Sequence, residues 1–508
     1  MKIYFSQILL FLSLTAFANE KDSTQNKVAL WGDFKSTNIV YNPDINPFVY
    51  YPKIASQNYL DLNFAYQRFQ AGFRLESYWP ALVGMPNELK GWGLANKFVR
   101  YQSKNFSLGL GNHYEQFGNG LIFKTQEQRA LGMDNSLDGI WGNFRLKNVK
   151  IKIISGKQRI GFRHAAGWLT GIDFENKIKI SKTTLSIGLS QIWKNEAYLG
   201  TNEAIKQNVF ASSARAEVQK GNFKSQIESA IKSSDAAIIN RYSTEIGSAI
   251  IWNTEWIKGN TSYLAQIKRT KNMDFRSERG QTQNTAIVNY IPNFTKIHTY
   301  RLLTLYPSAS QVLGEIGGQI EVSKYLNSGS SITINLAAYD QPKNLSLENS
   351  YDKKLYREAV VEFEKELSEN SKLNLLANYA HFNKGIVLGG FNEIIKFQTV
   401  VADWSFKINK NLSINTQAQH LHTQQDKGSW AMALLDLRIK SKVSVYFSDE
   451  YNYSRSHNYY HMGSNLNLGS KSIGLSYGKV REGLFCVGGI CQIIPEYQGL
   501  NLSVTTRF

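Results

Sequence analysis

Leu500-Asn501-Leu502-Ser503-Val504-Thr505-Thr506-Arg507-Phe508 decides the fold. Leu500, Leu502, Val504, Thr506 and Phe508 share one face, and Asn501, Ser503, Thr505 and Arg507 share the other. A period of two is the signature of a β-strand with one apolar side. At the edge of a soluble sandwich such a strand would leave unpaired backbone groups and an exposed Phe in water. A sheet closed into a barrel within a bilayer has no edge, and its apolar face meets lipid.

The alternation recurs along the chain. Leu60, Leu62, Phe64 and Tyr66 oppose Asp61, Asn63 and Gln67; Ile172, Phe174, Ile178 and Ile180 oppose Asp173, Glu175, Lys177 and Lys179. Ile332, Ile334 and Leu336, then Ile473, Leu475 and Tyr477, repeat it. The 508 residues carry 58 Lys+Arg against 40 Asp+Glu, 42% hydrophobic residues and 2 Cys, which excludes disorder, collagen and a disulfide-built miniprotein. After residue 18 no apolar run approaches the ~20 residues of a spanning helix. A propeller would repeat residues every ~40–50 positions, whereas here only the pattern repeats.

Lys2, the apolar run Ile8–Leu14 and Ala16-Phe17-Ala18 read as a signal peptide over 1–18, so the chain is exported. Residues 19–27 then form a short periplasmic segment, and 28–508 form the barrel. No plug-sized domain precedes Val28, which speaks against a TonB-gated transporter.

Hairpin chemistry marks Ser103-Lys104-Asn105, Lys147-Asn148, Ser181-Lys182, Lys220-Gly221-Asn222, Lys258-Gly259-Asn260, Asn327-Ser328-Gly329, Glu369-Asn370-Ser371, Asn409-Lys410-Asn411 and Ser441-Lys442. Longer connections fall between them, near 80–95, 113–137, 156–167, 194–207, 232–244, 269–283, 340–354, 382–396 and 481–496. Short turns on one side and long loops on the other is the outer-membrane arrangement. The expectation is all-β, a single large transmembrane antiparallel β-barrel of about 26 strands, in a range of 22–26. Segments 284–313 and 136–146 resist parsing.

The connection 113–137 is taken as the longest and mixes both charges with glycine. A loop folded into the lumen would use Glu115, Glu127, Arg129, Asp134 and Asp138 to set a transverse field, with Phe117, Gly118 and Gly120 shaping it. A structural loop, its glycines serving tight turns, is the competing reading. Asp134, Ser136, Asp138 and Gly139 imitate the start of a calcium loop, but Arg145 stands where its closing Glu belongs. No metal and no cofactor is expected.

Phe117-Gly118-Asn119-Gly120-Leu121, followed by Leu131-Gly132-Met133-Asp134-Asn135-Ser136-Leu137-Asp138-Gly139, resembles a family of uncharacterised outer-membrane barrels from Bacteroidota, mainly over 110–145. That resemblance implies location and fold and carries no activity. The last strand resembles the assembly signal of such barrels, with Leu500, Leu502, Val504 and Phe508 as its apolar residues and the barrel-assembly machinery as the implied partner.

Cys486 and Cys491 lie in the last long connection of an exported chain, and a disulfide is expected; half of a metal site would lack a second Cys pair. His420, His422, His457 and His461 fall at the upper ends of neighbouring hairpins, either as a metal-capturing rim set or as unrelated histidines. Lys157, Arg159 and Arg163, and Arg269, Lys271, Arg276 and Arg279, would suit lipopolysaccharide phosphates or an anionic solute; simple solvation explains them equally. Nucleic acid is not a partner of an exported chain. No hydrolase, zinc-protease, P-loop or dinucleotide motif is found, so no enzyme is expected. Function divides between a porin-like channel or transport component and a non-conducting accessory subunit of an export, adhesion or surface-assembly complex.

Overall fold

The computed structural model describes residues 28–508 apart from 199, 204, 327–328, 343–352, 389–392 and 488–489. The signal-peptide and periplasmic readings of 1–27 lie outside the described residues. Twenty-four antiparallel strands form one sheet. It closes where Ala29–Tyr41 pairs on one side with Ile54–Tyr66 and on the other with Tyr497–Arg507. The alternating segments become strands because pairing with neighbours in a closed sheet satisfies backbone groups that lipid could not.

The strand Arg163–Ile180 shows the inside-out pattern. Trp168, Ile172, Phe174, Ile178 and Ile180 are exposed outward, whereas Leu169 and Asp173 between them are buried in the interior. Exposed apolar side chains continue around the wall through Ile187, Phe210, Trp252, Ile320, Leu336, Val400, Phe447 and Leu500. Such a belt is stable only in lipid. The expected fold and the outward face of the last strand are both present.

Tight turns at 67–68, 103–105, 147–148, 181–182, 221–222, 259–260, 369–370, 410–411, 440–442 and 469–470 join strands at one end. Lys147, Ser181, Gly221 and Gly259 there take φ of +53°, +54°, +55° and +57°, as right-twisted hairpins demand. The turn at 327–329 lies partly outside the described residues.

Two expectations are corrected at the opposite end. The connection expected over 156–167 is only Gly161-Phe162, because strands Val149–Ile160 and Arg163–Ile180 run on to the rim. The longest connection is 272–313, not 113–137. The wall has 24 strands among the described residues, within the expected range of 22–26; 284–313 is irregular chain, and the hairpin Gly483–Val487 with Ile490–Ile494 stands apart from the wall.

Candidate functional site

Two connections turn inward and pack on each other inside the outer half of the barrel. Phe117, Leu121, Ile122 and Phe123 from 114–136 join Met273, Phe275, Val288, Ile291, Phe294, Leu302 and Leu305 from 272–313 in one buried cluster. Wall residues from Leu137 round to Tyr459 complete it. Backbone bonds knit the two loops, Lys124 N to Val288 O at 2.8 Å and Tyr290 N to Gly120 O at 2.8 Å. Asn135 Nδ2 and Gln158 Nε2 both donate to Ile287 O, at 2.7 and 2.9 Å.

Polar wall groups hold the loops. Glu228 accepts from Asn119 N and Nδ2, both at 2.7 Å. Gly118 beside it takes φ +52°, and a Cβ there would stand 2.6 Å from the Glu228 carboxylate, so this position requires glycine. Lys194 Nζ reaches Asp235 at 2.7 Å and Arg276 O at 2.9 Å; Lys232 Nζ reaches Asp274 O at 2.6 Å; Lys268 Nζ reaches Pro292 O of the loop and Glu315 of the next wall strand, the latter at 2.7 Å. All three lysines are fully buried. Burial raises the Asp274 carboxyl above the ordinary carboxylate range, against the pull of Arg276 and Lys232. It lowers the ammonium of Lys124, which lies 3.8 Å from the centre of the Tyr290 ring.

The charged residues singled out in 113–137 form a latch against the wall. Glu115 Oε1 binds Lys152 Nζ at 2.8 Å. Arg74 joins Asp61 at 2.6 Å and Glu127 at 2.8 Å, and Arg129 joins Glu127 at 2.6 Å and Asp61 at 3.3 Å. Arg159 pairs with Glu76 and Asp134. Carboxylate oxygens of Glu76, Glu127 and Asp134 lie within 4.8 Å of one another. Arg74 and Arg159 already occupy them, so the trio is committed to guanidinium groups.

Phe117, Gly118 and Gly120 lie at the loop tip, with φ of +52° and +91° at the two glycines. Asp138 is a correction: the strand Leu137–Leu146 has begun there, and strict alternation turns Asp138 outward, to His164 Nε2 at 2.9 Å and Lys97 Nζ at 3.6 Å. The four histidines also separate. His420 and His422 lie on the outward face of Leu412–His422 with exposed side chains, whereas His457 and His461 share the inward face of their strand with Tyr459. Cys486 and Cys491 are disulfide-bonded across the hairpin, with Cα atoms 4.0 Å apart. Leu500, Leu502 and Val504 lie on the closing strand opposite Val40, Asn38 and Ser36.

Two elements escaped the sequence reading, the loop 272–313 and its lysine anchors. A signal existed in both. Lys194, Lys232 and Lys268 all stand on the water-facing parity of their strands, near the end that leads into a long connection.

Below the loop 114–136 a cavity of about 580 Å³ runs down the inner wall. Asp33, Asp61 and Glu115 line it together with Arg74, Arg100 and Arg129, among amides and the rings of Phe98 and Trp141. Its lower residues, Gln102 and Ser107, flank the tight turn 103–105.

A closed antiparallel barrel with a lipid-facing apolar belt and folded-in loops is an outer-membrane β-barrel protein. The chain belongs to a family of unknown function, DUF6029, whose model matches residues 1–508. No curated protein matches it. Among solved structures it is similar to the siderophore receptor PirA from Pseudomonas aeruginosa, at 8% identity and TM-score 0.42, over 96% of this chain and 81% of that one. It is similar to the P pilus usher PapC translocation pore at 8% identity and TM-score 0.45, over 94% and 99%. It is also similar to the copper transporter OprC at 7% identity and TM-score 0.46, over 96% and 82%.

Proposed function

We propose that this barrel is a transport component of the outer membrane, closed at rest by the loops 114–136 and 272–313 and opened when they are displaced. The carrying observation is the single buried cluster that joins both loops to the wall. A barrel of this circumference has an interior wider than its wall side chains fill, and here the chain fills its outer half with its own loops. In this reading Glu127, Arg129 and Asp134 latch the loop rather than select ions, and the role is passage rather than catalysis. Lipopolysaccharide around the outer rim, folding through the barrel-assembly machinery and an origin in Bacteroidota belong to the same reading.

One observation favours the second reading, a non-conducting subunit of an export, adhesion or surface-assembly complex: the loop 272–313 is anchored by buried lysines, Lys194 to Arg276 O at 2.9 Å and Lys232 to Asp274 O at 2.6 Å. Planar-bilayer recording separates the two. The intact barrel is expected to be nearly silent, and deletion of 114–136 or of 272–313 to give steady ohmic steps. A barrel that stays silent with both loops deleted would overturn the transport reading, and a pull-down from native membranes would then identify its complex.

A further inference from the structure

We propose that the cavity beneath the loop 114–136 binds a neutral polyhydroxylated solute, an oligosaccharide, on two aromatic platforms formed by Trp141 and Phe98. The proposal rests on the transport reading and gives it a substrate class.

The platforms follow from register. Trp141 pairs directly with Gly109, and Phe98 with Gly72. A Cβ at Gly109 would meet the indole at 2.2 Å, and one at Gly72 would meet the Phe98 ring at 2.5 Å. Each ring therefore fills the place of the missing side chain on a neighbouring strand, and both line the cavity. His113 stacks beside Trp141, with centroids 5.4 Å apart, and fixes it. Flat aromatic faces are what the apolar C–H faces of a sugar ring need, because they bury that surface without demanding a hydrogen bond.

The polar lining supplies the rest. Asp33, Asp61 and Glu115 accept, Arg74, Arg100 and Arg129 donate, and Asn63, Asn96, Gln102 and Asn143 do both. Hydroxyl groups also do both, and the equal count of acidic and guanidinium groups selects against a net charge. Rings laid over glycines also repair a sheet. Sheet repair leaves unexplained why both rings stand over one cavity among side chains that donate and accept in equal measure.

The test is equilibrium binding to the full-length barrel in an amine-oxide detergent free of sugar headgroups, read by tryptophan fluorescence and calorimetry. The probes are maltohexaose, the charged hexagalacturonate and the neutral peptide hexaglycine. Maltohexaose is expected to bind in the millimolar range or tighter, at least tenfold better than the other two. Trp141→Ala and Phe98→Leu should each weaken it tenfold or more, whereas Trp141→Phe should keep most of the affinity in a barrel that still shows heat-modifiable gel migration. Trp404→Phe, on the lipid face, should change nothing. Absence of maltohexaose binding, equal binding of hexaglycine, preference for the charged probe, or affinity unchanged in Trp141→Ala would each overturn the proposal. Binding is read without conductance, so a silent bilayer with intact binding would count against transport alone.

Discussion

Asn119 gives both its backbone N–H and its side-chain amide to the same carboxylate, Glu228, across a sequence distance that spans five strands of the wall. This pair holds the tip of the loop 114–136 where the core residues Phe117 and Leu121 enter the cluster. Hydrogen bonds to charged groups contribute about 1.5–3 kcal/mol. Glu228→Ala is therefore expected to loosen the tip by roughly that amount, to expose the segment around Asn119 to limited proteolysis and to produce brief openings in planar bilayers. Gly118→Ala should act in the same direction, since its φ of +52° and the nearby carboxylate both oppose a Cβ. Wild-type protease resistance in both variants would show that the tip is held by its apolar residues alone.

Lys268 and Glu315 form a buried pair between two wall strands, from which Lys268 also reaches Pro292 O and Ser310 Oγ of the loop 272–313. Both partners of the pair are almost wholly buried and 2.7 Å apart. Removing one partner of a buried pair strands the other charge and costs about 3–5 kcal/mol, whereas replacing both with apolar residues is often close to neutral. Lys268→Met should lower the temperature of barrel unfolding markedly, and the double variant Lys268→Met with Glu315→Leu should recover most of the loss. The midpoint of heat-modifiable gel migration reports both. Equal losses in the single and double variants would contradict the pairing.

The wall was legible in the sequence because dyad hydrophobicity is local: Leu500 to Phe508 show their faces without any knowledge of a partner strand. Turns such as Lys220-Gly221-Asn222 were legible for the same reason, since a positive φ has a residue signature. The interior was not. Lys232 looks like any solvated strand lysine until the fold brings Asp274 O to it, and Phe275 has no periodic company to mark it as core. Asp138 was misplaced by a boundary error of one residue, and in a strand one residue changes the face. Trp141 and Gly109 are more than thirty positions apart, so their register pairing carries no local signal.

At the rim, Glu278 ties the loop 272–313 to the wall through Arg163, at 2.7 and 2.8 Å, with further bonds from Ala166 N and Gln281 Nε2. Burial alone would raise its carboxyl, but these partners outweigh it and hold the group below the ordinary carboxylate range. A depressed pKa stabilises the fold above the unfolded value, and the contribution is lost as pH falls through the folded one. Arg163 is half exposed, so screening limits the contribution to under about 1 kcal/mol. Proteolysis of 272–313 by an acid-active protease is expected to accelerate as pH falls below the ordinary carboxylate range. Arg163→Gln should show the faster rate already at neutral pH with a flatter profile, and an unchanged profile in that variant would remove Glu278 from the account.

Gly32 and Phe508 test closure of the barrel. Gly32 N donates to Phe508 O at 2.8 Å, and Phe508 N returns the bond to Gly32 O at 3.0 Å, which ties the first strand to the last. A Cβ on Gly32 would lie 2.4 Å from Asp61 O and 2.9 Å from the Phe508 ring, so this seam has no room for a side chain. Backbone cannot yield as a flexible side chain does, and Gly32→Val must push two strands apart at the point where the sheet becomes a barrel. An open seam in lipid leaves unpaired N–H and C=O groups, each costing several kcal/mol. The expected result is a sharp fall in the heat-modifiable form recovered from outer membranes. Removing Phe508 should give a smaller fall, since it deletes one bonded pair and leaves the rest of the register from Asp33–Arg507 to Tyr41–Gly499 in place. Wild-type recovery of Gly32→Val would mean that the seam closes in another register.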